Sequence, residues 1–189
     1  MKTSIKVLIG ILAIILIIAL PLGNGYNNLV KLEQNVAVAK SNIDTQLQRR
    51  MDLIPNLVNT VKGYASQEKE IFTAIADSRS KLAGATNVNE QAQADSELSN
   101  ALSRLLVVVE RYPDLKSNQN FQDLSVQLEG TENRITIARQ DYNTAVSVYN
   151  TKIRQFPSNI VASLFGFESH QLYEAAPGSE QAPTVNFGS

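Results

Sequence analysis

QLQRRMDLIPNLVNTV, Gln46 to Val61, decides whether this chain carries a chemical site or a long structural helix. Apolar residues recur at Leu47, Met51, Ile54, Leu57, Val58 and Val61, the three-and-four spacing of one helix face. Pro55 interrupts them, and Arg49, Arg50 and Asp52 crowd the turn before it. Two readings are open. The arginines can clamp a phosphate or a lipid headgroup. Alternatively, Asp52 caps a helix restarting near Pro55, with the arginines solvated or paired to carboxylates. Pro55 lacks a backbone donor and frees the Met51 carbonyl, which an arginine or Asn59 can satisfy.

Outward from this stretch the apolar seam holds its phase. It runs Leu29, Leu32, Val36, Ala39, Ile43, Leu47, Met51, Ile54, Val58, Val61 and Tyr64, then more loosely through Ile71, Ile75 and Leu82. That continuity favours the structural reading, with Pro55 as a bend or restart inside one long element. Gly84 is the first stop signal, and Asn87 or Asn89 can cap a second helix. This helix carries Leu98, Ala101, Leu102, Leu105, Val108, Val109 and Tyr112, and RYPDLKSN ends it. Ser117 or Asn118 can cap a third helix from about Gln119 to Arg154. Tyr142 and Tyr149 on its seam are core or interface positions. A short helix follows in FPSNIVASLFGF, with Ile160, Val161, Leu164, Phe165 and Phe167 as an end cap or an element facing a membrane or second subunit. No strand-type alternation of useful length appears.

The spacing therefore predicts an all-α chain, an antiparallel bundle of three long helices plus a short C-terminal helix. A first helix of about 55 residues from Tyr26 would reach roughly 80 Å, against roughly 37 Å for the second. The mismatch predicts an uncovered seam, and with it a homo-oligomer in which another copy buries that seam.

The N-terminus predicts a single membrane span. Lys2 and Lys6 precede a stretch with no charge before Lys31. The anchor residues are Val7, Leu8, Ile9, Ile11, Leu12, Ile14, Ile15, Leu16, Ile17, Ile18 and Leu20. Val7 to Leu22 covers roughly 24 Å as a helix, somewhat short of a ~30 Å hydrocarbon core, and flanking uncharged residues extend it. Tyr26 falls at the interface, where tyrosine is favoured. A cleaved signal peptide is the competing reading, but the apolar run is long for one and no Ala-x-Ala site is present. The early lysines place the body outside the cytoplasm, on the inner membrane of a bacterial cell. The expected organisation is an anchor over 1–25, a helical bundle over 26–167 and a flexible tail over 168–189.

Composition removes several function classes. With 17 basic and 18 acidic residues, no global basic field exists for nucleic acid. There is no cysteine, and His170 is the single histidine, so neither a histidine-based triad nor a multi-histidine metal site can be assembled in one chain. No cofactor, metal or catalytic residue is expected.

QRRMDLIPNLVNTVKGYASQE, with RYPDLKSNQNFQDLSVQLEGTENRITIARQDYNTAVSVYNTKIRQFPSNIVASLFGF, resembles the LemA family of bacterial membrane proteins. The likeness covers nearly the whole chain. It implies an N-terminally anchored helical bundle without an established enzymatic activity. One departure is visible: many members carry histidine before the glutamate of this GYA segment, where this chain has Gln67 before Glu68. The change suggests a structural role for the position.

The sequence thus points to a non-enzymatic, self-associating, membrane-anchored scaffold at the cell envelope. The alternative is a monomeric adaptor for a membrane protease or signalling partner. Arg49, Arg50, Asp52, Pro55, Phe165 and Phe167 are the candidate structural or interaction motif, and the lipid bilayer and a membrane protein are the expected partners.

Overall fold

The computed structural model describes the backbone of residues 2–174 and the side chains of residues 8–10 and 22–174. The described chain is all-α and contains no strand. Its helices are α1 (Lys2–Lys62), α2 (Lys69–Gly84), α3 (Val88–Val109), α4 (Pro113–Lys116), α5 (Gln119–Arg154) and α6 (Ser158–Phe165). They divide between two compact units. One comprises residues 1–42 with 140–170, the other residues 43–139 with 171–189.

The second unit is a four-helix arrangement, and here the expectation of three long helices is corrected. The chain leaves the helix at Gly63 and re-enters it at Lys69, so the segment expected to reach Ala83 is two helices. Glycine is a poor helix residue. After it, the Tyr64 and Ala65 amides both return to the Val61 carbonyl. Far-apart contacts fix the directions. Arg79 of α2 meets Met51 of α1, and the Lys62 ammonium lies 5.3 Å from the Phe72 ring centroid, so α1 and α2 are antiparallel. Lys81–Glu97 at 2.7 Å joins α2 to α3. Asn118, just before α5, donates to the Tyr64 hydroxyl at 3.1 Å, just after α1, so α5 runs back along α1. The order is up-down-up-down.

The break shortens the first helix, which beyond Tyr26 is still longer than α2 at 16 residues and α3 at 22. From Tyr26 to Lys62, α1 matches the 36 residues of α5 to within a residue.

Several boundaries follow local chemistry. The Asn87 side chain accepts from the Glu90 amide at 2.9 Å, while Glu90 accepts from the Thr86 amide and hydroxyl, a reciprocal cap on α3. Asn118 caps α5 by accepting from the Phe121 amide. Gly166, at φ 75°, closes α6 in the left-handed region that glycine adopts without steric cost.

The first unit joins the N-terminal part of α1 to the end of α5 and to α6. Leu29, Val161 and Ala162 form its apolar centre, with Leu22, Ile153 and Phe167 packed alongside. Tyr149 is fully buried there. Asn150 clasps the His170 backbone, donating to its carbonyl at 2.8 Å and accepting from its amide at 3.0 Å. His170, within the expected tail, is thus held, and in the second unit Tyr173 is buried. Residues 175–189 lie outside the described residues.

Among the described residues no helix is long and apolar enough to cross a membrane. Most of the expected anchor (Val7, Ile11, Leu12, Ile14, Ile15, Leu16, Ile17, Ile18 and Leu20) falls within α1, but those side chains are outside the described residues. Leu8 and Ile9 are described and exposed. The expected transmembrane helix is thus not supplied by the described structure.

Candidate functional site

The opening stretch supplies the centre of a buried ionic cluster in the second unit. Along α1 the buried positions are Ile43, Leu47, Arg50, Ile54, Leu57 and Val61. Leu57 of the predicted face is buried while Val58 is only partly so, Arg50 stands on the seam where Met51 was expected, and Tyr64 is exposed while Ala65 is buried. An arginine enters a core only when other elements supply its partners.

Those partners come from α3 and α5. Arg50 Nη1 donates to Asp95 Oδ1 at 2.6 Å and lies 2.9 Å from Glu132 Oε2. Its Nη2 donates to the Ser99 hydroxyl at 2.9 Å. Asp95 is fully buried and also receives Nη2 of Arg139 from α5. Tyr173 covers Arg139, whose guanidinium carbon lies 5.0 Å from the ring centroid. One carboxylate thus binds two guanidinium groups, and three helices meet at it. Burial lowers the Arg50 pKa from its ordinary value, while Glu132 and the Tyr173 hydroxyl pull the other way. An arginine stays protonated through such a shift.

The remaining motif residues do not join this cluster. Arg49 is exposed. Asp52 accepts from Gln48 at 2.8 Å on the helix surface and caps nothing, because α1 passes through Pro55 without a restart. The Met51 carbonyl that Pro55 leaves open is taken by Arg79 Nε of α2 at 3.1 Å. Glu132 and Arg139 of α5 also belong to the site. Asp95 and Ser99 were missed. An aspartate within an apolar helix face was the available signal, since Asp95 is three residues before Leu98 and on its side of α3.

Beside Arg50 lies a cavity of about 440 Å³, within the range that holds small ligands or anchoring side chains. Leu57, Leu102, Leu106 and Leu128 wall it, and Ser125 and Glu132 supply polar atoms. The Ser125 hydroxyl is buried with no hydrogen-bond partner among the described residues.

Gln67, at the position of departure noted above, donates to the Tyr112 hydroxyl at 2.8 Å. Next to it, Glu68 pairs with Arg111 at 2.7 Å. Both contacts tie the α1–α2 corner to the end of α3.

In the first unit, Phe165 and Phe167 meet Tyr26. The Tyr26 ring centroid is 4.8 Å from that of Phe165 and 5.6 Å from that of Phe167. The two groups of motif residues therefore belong to separate units.

The fold and this cluster define a class: a helical bundle whose long helices are locked by buried charge. The chain belongs to the LemA family, whose family model matches residues 39–187. It is similar to magnetosome protein MamQ 2 of Paramagnetospirillum magneticum, 29% identical, over 91% of this chain and 72% of that protein. Magnetosome protein MamQ of Magnetospirillum gryphiswaldense is 26% identical over 82% of this chain and 66% of its own length. Protein LemA of Metamycoplasma hominis is 25% identical over 79% of this chain and 69% of its own.

Proposed function

We propose that this chain is a membrane-tethered, non-catalytic docking module that receives a membrane protein partner. The leucine-walled cavity beside Arg50 carries the reading. Its wall residue Leu106 is about half exposed. A partner's apolar side chain entering there would bury both surfaces at roughly 25 cal/mol per Å². The buried ionic cluster supports the same role by holding one wall rigid, so that docking costs little ordering. The tether is the uncharged stretch Val7–Leu22, anchoring the chain in the bacterial inner membrane with the body outside the cytoplasm. The non-catalytic reading rests on a sequence with one histidine and no cysteine.

Self-association into a scaffold is the second reading. Val107, Val126 and Ile137 favour it, apolar side chains more than half exposed on α3 and α5.

A photo-crosslinking phenylalanine analogue at Leu106 separates the two, with Lys62 as the surface control. Adducts from Leu106 to one distinct membrane protein support docking. Adducts between copies, with large uniform particles in mild detergent, support the scaffold. A monomer in detergent with no adduct above the Lys62 control overturns both.

A further inference from the structure

The face of α6 turned away from the first unit's core is unusually apolar. Ile160, Leu164 and Phe165 are each more than half exposed, and Phe156 just before the helix is 81% exposed. An aliphatic or aromatic side chain left in water forgoes the free energy of burial. Four clustered within ten residues of chain mark a surface that is covered by something.

The position of α6 says what covers it. Val161 sits against Gly25 of α1, where an added Cβ would lie 3.2 Å from Val161 Cγ2, so glycine permits the close approach. Leu22 packs at the same contact, and it is the last residue of the uncharged apolar stretch. Leu22 and Gly25 are only about 5 Å apart along the helix axis. The helix therefore lies where the N-terminal segment would leave a bilayer. Tyr26, Phe165 and Phe167 form one aromatic cluster at that level, and aromatic rings with a polar tip favour the membrane–water boundary. No charged residue occurs from Gln155 to Phe167, while Lys152 and Arg154 stand immediately before, as basic residues do beside anionic headgroups.

We propose that α6 is an interfacial membrane element: its Ile160–Leu164–Phe165 face enters the headgroup boundary of an anionic phospholipid bilayer beside the anchor. The proposal rests on the anchor reading above. An interfacial helix of this kind buries its apolar face roughly 5–10 Å into the headgroup region. The first unit is thereby held at the membrane at two points rather than one.

The chain has no cysteine, so single-site spin labels report without background substitutions. Full-length protein carrying Leu164→Cys, Ile15→Cys or Asn100→Cys is labelled and reconstituted in vesicles of phosphatidylcholine and phosphatidylglycerol. Ile160→Cys serves as the second α6 site if Leu164→Cys folds poorly. Collisions with oxygen report lipid, and collisions with a water-soluble nickel chelate report solvent. The expected result is an oxygen-rich, nickel-poor environment at 15 and on α6, against a nickel-accessible 100. Nickel access on α6 with a lipid-embedded 15 overturns the proposal and leaves the anchor standing. Nickel access at 15 overturns the anchor and this proposal together. Strong spin–spin coupling between α6 labels, absent at 100, assigns the face to a second copy and overturns the lipid.

Discussion

Arg50 Nη1 donates to Asp95 Oδ1 at 2.6 Å, across 45 residues of sequence and inside the helical core. The pair converts a charged residue into a seam residue of α1. It also sets where α1 stands against α3, because sliding either helix would separate two desolvated charges.

Removing one side of this pair should be costly. Asp95→Ala removes the carboxylate shared by Arg50 and Arg139 and leaves Arg50 only Glu132 and Ser99, and loss of one partner of a buried pair typically costs about 3–5 kcal/mol. Urea unfolding should show a midpoint shift of that size. Adding Arg50→Met to Asp95→Leu should recover part of the loss, since apolar replacement of a buried pair is often neutral while Arg139 and Glu132 still lose their partners. A double variant no more stable than Asp95→Ala would contradict the account.

Pro55 gives a second, coupled test. Pro55→Ala restores an amide facing the Met51 carbonyl, and a proline inside a helix costs about 3 kcal/mol at most exposed sites. The expected outcome is a gain of about 1–2 kcal/mol, reduced because Arg79 already serves that carbonyl. Arg79→Ala should cost about 1 kcal/mol in the natural chain and less in the Pro55→Ala background. Equal costs in both backgrounds would show that Arg79 does not compensate the proline.

Acid stability should depend on Glu90. Hydrogen bonds from the Thr86 amide and hydroxyl lower its pKa below the ordinary 4.5. A carboxylate depressed in the folded state stabilises above its unfolded pKa, and this is lost as pH falls through the folded value. Chemical denaturation between pH 6 and about 3 should therefore show stability falling below about 4.5. Glu90→Gln should flatten part of that slope, and an unchanged slope would remove Glu90 from the cap.

Tyr149 predicts the opposite kind of change. Its ring is fully buried, but its hydroxyl has no hydrogen-bond partner among the described residues. An unsatisfied buried hydroxyl costs about 1–3 kcal/mol. Tyr149→Phe should therefore be neutral or raise the thermal midpoint. Burial raises the Tyr149 pKa above the ordinary 10.0, so the folded state holds its proton longer and stability is lost as pH rises past that value. The phenylalanine variant should lose less stability there.

The sequence by itself determined what local chemistry controls. Asn87, Asn118 and Gly84 mark helix ends through caps and backbone preference, and the third helix predicted from about Gln119 to Arg154 is α5. Such signals act within a turn or two, so they can be read along the chain. The turn at Gly63–Glu68 was hidden, because one glycine is a weak stop and the apolar spacing resumes past it. Only the tertiary structure decided that Arg50 rather than Met51 faces the core. A periodic pattern assigns faces by hydropathy, whereas a charge is buried only when its counter-charges arrive from other helices, here Asp95 and Glu132. The same holds for Arg79 at the Met51 carbonyl and for Phe165 at Tyr26. Each contact joins residues dozens to more than a hundred positions apart, and the fold alone brings them within reach.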